Sequence, residues 1–119
     1  MEIMIKNYSD EVKILISKHS SKGFEFGKPT NYLFYRNKGL TAEMVFKELK
    51  TGENLKYTKK ENVEEEIRYT LYFVHKRSKG RAYCITFREK IRIITIFPLG
   101  RRTLNKYNKK RFKKFGSVN

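Results

Sequence analysis

Two adjacent arginines, Arg101 and Arg102, stand just beyond an apolar, β-branched run that ends Ile93-Ile94-Thr95-Ile96-Phe97-Pro98. Arginine suits phosphate because its planar fork donates two parallel hydrogen bonds to phosphate oxygens. A strand that delivers such a pair beside the start of a helix, whose amides also favour anions, can hold a phosphodiester. Cleaving RNA without a metal needs more. A base must deprotonate the 2′-hydroxyl, cations must hold the pentacoordinate phosphate, and an acid must serve the leaving 5′-oxygen. Tyr107, one turn further on, can stack on a base or orient a phosphate through its phenol. His75, at the end of an earlier strand pattern, can exchange protons near neutral pH. Each has a plainer alternative: solvated loop charges for the arginines, rim packing for Tyr107, an exposed or structural imidazole for His75. His19 lies in a loop pattern without partners.

More cations surround this set. Arg81 follows the hairpin glycine Gly80 and, by alternation, shares a strand face with Tyr83, Ile85 and Phe87. Arg77, between Lys76 and Lys79, marks a basic hairpin tip, and Arg88 closes the other end of the same strand. Charge at a hairpin tip usually serves solvation. Lys106, Lys109, Lys110, Arg111, Lys113 and Lys114 line a final helix with Phe112 and Phe115. These are the expected nucleic-acid contacts. A basic amphipathic helix also suits an anionic membrane, but Leu104, Phe112 and Phe115 are needed to cover the sheet, so no membrane is expected.

The charge is one-sided. The 119 residues carry a net charge of +16, yet eleven of twelve acids precede Ile67. After Glu89 come ten Lys or Arg and no acid. Such a face repels itself unless a polyanion or an acidic partner lies against it, and phosphate is the commonest partner. RNA is the first expectation. A hydrophobic content of 39%, with nine Phe and eight Tyr, excludes wholesale disorder and supports one domain over residues 1–119. The apolar stretches are too short for a membrane helix, and the start lacks the pattern of a secretory signal. The lone Cys84 permits no intrachain disulfide and reads as a buried small hydrophobe. Cytoplasm is the expected location. One Cys and two distant His cannot build a zinc site of ordinary spacing, so neither metal nor cofactor is expected. No phosphate-binding glycine loop and no Ser-His-Asp or Cys-His pairing occurs.

The elements that must position these groups follow from periodicity. Glu2 to Lys6 can open a sheet. Ser9-Asp10-Glu11 can cap a helix carrying Val12, Leu15 and Ile16, although Val12 to Ile16 also fits a strand. His19 to Lys28 reads as loop. Pro29-Thr30 starts a short helix that ends at Asn37-Lys38-Gly39. Thr41 caps a second helix, with Met44, Val45, Leu49 and Phe46 as its apolar stripe, and Thr51-Gly52 stops it. Residues 53–66 suggest a short strand near Leu55 to Thr58 and then a mobile, charged loop. From Ile67 the period is two: strands at 67–75, 81–87 and 91–97, with Ile93 and Ile94 both buried in a central strand. Thr103 caps the last helix. The fold class is α+β: N-terminal helices, then a three- or four-stranded antiparallel sheet, then a basic C-terminal helix.

The string from Asn31 to Phe46, with Lys38-Gly39-Leu40-Thr41 at the turn, resembles the paired helices of BrnT-type ribonuclease toxins, without the histidine usual in that turn. Ile91 to Thr95, then Gly100-Arg101-Arg102 and Tyr107, is similar to the endings of BrnT- and RelE-type toxins. Together these strings cover about residues 30–50 and 67–110. The resemblance implies a RelE-like fold, a metal-independent endoribonuclease acting on mRNA, including ribosome-bound mRNA, and an acidic antitoxin partner. It also implies strand arginines around the scissile phosphate, which adds Arg81 to the candidates. A non-catalytic RNA- or DNA-binding protein with the same basic face remains the alternative, and a module that docks an acidic protein is a third.

Overall fold

The computed structural model describes residues 6–35, 37, 39–76 and 79–108, with the side chains of residues 30, 31 and 106–108 outside that description. Helix α1 is Ser9–His19, followed by a 3₁₀ turn at Ser20–Lys22 and a short strand β1, Phe24–Phe26. Helices α2 (Thr30–Phe34) and α3 (Ala42–Thr51) come next. A meander follows: β2 (Leu55–Val63), β3 (Glu66–Lys76), β4 (Lys79–Phe87) and β5 (Ile91–Pro98). Helix α4 is Arg101–Asn108. The five strands form one sheet in the order β1-β5-β4-β3-β2.

The α+β class and the meander agree with the pattern of the sequence. The sheet itself is mixed rather than antiparallel, because β1 pairs in parallel with β5 through Phe24↔Ile91 and Phe26↔Ile93. Phe24-Glu25-Phe26 is too short for period two to register, and it lies inside the stretch expected to be loop. The ambiguous Val12 to Ile16 is helical, with Val12 and Ile16 buried. Beyond Thr58 the expected loop is instead strand, up to Val63. β2 is one of the two edge strands, where outward lysines and glutamates are compatible with pairing and discourage further strand addition. Of the expected strand at residues 2–6 only Lys6 is described, and it is not in a strand; residues 2–5 and the hairpin residue Arg77 lie outside the described residues, as do Lys109, Lys110, Arg111, Phe112, Lys113, Lys114 and Phe115.

One face of the sheet holds the core. Tyr69, Leu71, Phe73, Tyr83, Ile85, Ile91, Ile93 and Ile96 meet Val12, Ile16, Leu33, Val45 and Leu49 from the helices. β5 carries a bulge: Cys84 pairs with Thr95 and Ile85 with Ile93, so Ile94 is the extra residue. The bulge resets the alternation, which lets Ile93 and Ile96 both face the core and leaves Ile94 only half-buried, against the expectation that it was core. Cys84 is half-buried too, on the opposite face from Tyr83 and Ile85. That opposite face receives α4. A Cβ built on Gly80 would lie 2.9 Å from Leu99 and 3.0 Å from Leu104, whose side chain is buried. Thr103 sits within α4 rather than capping it, since the Leu104 amide already donates to the Gly100 carbonyl at 3.0 Å. No helix among the described residues is long and apolar enough to cross a membrane.

Candidate functional site

Helix α3 begins as its sequence dictates. The Thr41 side chain accepts a hydrogen bond from the Met44 amide at 3.2 Å, and Gly52 ends the helix in the left-handed region at φ 62°. Between these stops Val45 and Leu49 are buried against the sheet, while Met44, expected in the stripe, is 45% exposed. Phe46 stacks instead on Phe24 and Phe26. Glu48, three residues after Val45 and one before Leu49, is therefore carried onto the sheet-facing side with only 11% of its side chain exposed.

A carboxylate placed there needs partners, and the strands supply three. Its Oε1 accepts from Arg81 Nε at 2.9 Å and from the Tyr83 hydroxyl. Its Oε2 pairs with His75 Nε2. Arg81 and Tyr83 share a face of β4, as alternation predicts, and Tyr83 is fully buried with its ring edge-on to Phe73. His75 occupies a bulge of β3, between Val74, paired with Gly80, and Lys76, paired with Lys79. A bulge is a means of re-aiming a side chain. Gly80 makes this corner possible, because a Cβ there would come within 2.6 Å of the Phe73 carbonyl.

The electrostatics follow from this geometry. Burial alone would raise the Glu48 carboxyl, but hydrogen bonds from Arg81, Tyr83 and His75 outweigh it and hold the group below its ordinary value of 4.5. Burial, then the bond to the carboxylate, pushes the Tyr83 phenol far up. Burial opposes charge on Arg81, yet its contact with Glu48 leaves the guanidinium more firmly protonated than usual. Glu48 holds Arg81 by Nε alone. The Tyr83 phenol lies against the same guanidinium, and Arg81 and Glu48 line a 270 Å³ cleft with Met44, Lys47, Thr51, Glu53 and Asn54. An arginine held through Nε at the wall of a cleft suits a phosphate. The adjoining imidazole and carboxylate suit proton transfer.

Of the residues picked out from sequence, Arg81 and His75 are brought together. Arg101 and Arg102 are exposed at the first turn of α4, which packs through Leu104 on the other face of the sheet, and no described side chain bonds to either. Tyr107 and Lys106 fall within α4, but their side chains lie outside the description. Arg88 is drawn into an ion pair, its Nη2 2.9 Å from Glu66, which Arg68 also holds at 3.0 Å. His19 packs its ring on Phe87, with centroids 5.1 Å apart. Glu48 and Tyr83 are the site residues that sequence reasoning passed over. Glu48 did leave a signal: a carboxylate flanking the buried Val45 and Leu49 positions must find cationic or hydroxyl partners.

Comparison of the chain with protein-family models, with curated proteins and with solved structures finds no match to any of them.

Proposed function

We propose that the chain is a metal-independent endoribonuclease whose reactive centre is the Arg81–Glu48–His75 cluster. The observation that carries this reading is the division of one buried carboxylate between a guanidinium and an imidazole: Oε1 to Arg81 Nε, Oε2 to His75 Nε2. In the proposed reaction the 2′-oxygen of a ribose attacks the adjacent phosphorus and the bond from phosphorus to the 5′-oxygen breaks. The proton of the 2′-hydroxyl passes to His75, and the leaving 5′-oxygen takes one from water, giving a 2′,3′-cyclic phosphate. Arg81 donates its terminal nitrogens to the non-bridging oxygens, where charge grows in the transition state. Lys47, at the same cleft, adds positive charge. Glu48 and Tyr83 are positioning residues, acting through Arg81 and His75.

Arg101 and Arg102, with the basic residues after them, then serve as contacts to the RNA backbone away from the bond that breaks. Their exposure favours the second reading as well, a protein that binds RNA without cutting it. The same charge suits an acidic antitoxin, the partner that the likeness to RelE- and BrnT-type toxins implies, and a cytoplasmic setting with mRNA as target. Incubation of the purified protein with single-stranded RNA in EDTA separates the two readings. Fragments ending in cyclic phosphate support the nuclease, and intact RNA with retained binding supports the binding protein.

A further inference from the structure

Tyr35 and Tyr32 are the two most exposed large apolar side chains among the described residues, at 69% and 60%. They stand three positions apart at α2, on one side of it, with ring centroids 6.5 Å apart and planes tilted by 52°. The helix beneath them is packed on the core. Leu33 is buried in the core, and Phe34 meets Phe26 edge-on at 5.7 Å. The rings thus project from a turn anchored to the core through Leu33 and Phe34, and the core gains nothing from their exposure. Lys28 Nζ lies 5.2 Å from the centre of the Tyr32 ring. From Phe26 to Ala42 the sequence contains Lys28, Arg36 and Lys38 and no acid.

We infer that Tyr32 and Tyr35 form a stacking platform for unpaired bases of single-stranded RNA. Aromatic faces take bases of any identity, and cations at their margin take the phosphates between. A duplex offers no such faces, because its bases already stack on one another. The spacing of the rings exceeds the ~3.4 Å rise of a stacked strand, so the pair accepts successive bases of a strand drawn out of its stack. The inference rests on the RNA reading above and adds to it the class of substrate: single-stranded, with little base specificity.

A short 2′-O-methyl oligouridine, which cannot be cleaved through its 2′-oxygen, tests this apart from catalysis. Binding is read by fluorescence anisotropy for the parent, for Tyr32→Ala with Tyr35→Ala, and for Tyr32→Phe with Tyr35→Phe. Loss of each ring should weaken binding about fivefold to a hundredfold. The phenylalanine pair, which keeps both faces, should bind like the parent. The natural chain has no tryptophan, so Tyr32→Trp creates a single indole whose emission should be quenched as the oligomer binds. Parental affinity in the alanine pair, an equal loss toward a blunt RNA duplex, or a parent that fails to bind would each overturn the platform. A parent that binds the oligomer but leaves cleavable RNA intact removes the nuclease and keeps the platform. A parent that cleaves, with an alanine pair that binds normally, removes the platform alone.

Discussion

Glu48 and Arg81, thirty-three positions apart, join helix α3 to strand β4 through a 2.9 Å contact that engages only the Nε of the guanidinium. The contact does two things. It sets a positive charge against a mostly buried carboxylate that Tyr83 and His75 also hold, and it engages the guanidinium through Nε, leaving its terminal nitrogens out of the contact with Glu48. A lysine at position 81 could do the first but not the second, since its single ammonium has no rigid far side.

Stability should depend on this carboxylate in a pH-dependent way. Replacing Glu48 by Gln leaves Arg81 partly buried without its counter-charge, at a cost of about 3 kcal/mol, the low end for removing one partner of a buried pair. Folding lowers the Glu48 carboxyl below 4.5, so the native state favours its ionised form. That contribution is present above pH 4.5 and drains away as pH falls through the lowered native value. Urea unfolding of parent and Glu48→Gln across acidic pH checks this: the gap between them should be wide at pH 7 and close toward strong acid.

Gly80 is required by close approach. In Gly80→Ala the new methyl meets the Phe73 carbonyl at 2.6 Å and the Leu99 and Leu104 side chains at 2.9 and 3.0 Å. Overpacking of this kind costs about 2 kcal/mol. Since Leu104 is the contact of α4, hydrogen exchange in residues 101–108 should rise more than in β2, which lies across the sheet.

The β2–β3 turn offers the opposite sign. Val63 pairs with Glu66, and the two residues between them, Glu64 and Glu65, have φ of 51° and 65°. Such two-residue hairpin turns favour Asn-Gly. Glu64→Asn with Glu65→Gly should therefore stabilise the protein, by about 1 kcal/mol from relieved left-handed strain. A lower melting temperature in this variant would refute the assignment of strain.

Binding should be salt-dependent. If about six phosphates are neutralised, the logarithm of the affinity for single-stranded RNA falls against the logarithm of salt with slope roughly −4. A slope near zero would remove nucleic acid as the partner.

The parts legible in the sequence were those with local causes. The Thr41 cap, the Gly52 stop and the meander from β3 to β5 each rest on neighbours in the chain, and each is where its pattern puts it. β1 was hidden because three residues carry no period, and its parallel pairing with β5 depends on a partner about 67 positions away. The bulge at Ile94 was hidden because β-branched residues on both faces look the same whether or not the register shifts. At the site, His75 and Arg81 were visible as residue types, but the Glu48 that unites them lies on a different element. Only the docking of α3 through Val45 and Leu49 makes it their neighbour.

The most direct measurement is single-turnover cleavage of RNA in EDTA by the parent, Arg81→Ala and Arg102→Ala, each first shown to be folded by circular dichroism. The parent should cleave, leaving cyclic phosphate ends. Arg81→Ala should cleave about 10²–10³-fold more slowly at saturating RNA, the usual loss on removing a group that meets transition-state charge. Arg102→Ala should lose affinity and keep its saturated rate. Intact RNA with the parent protein, or parental cleavage by Arg81→Ala, would contradict the account.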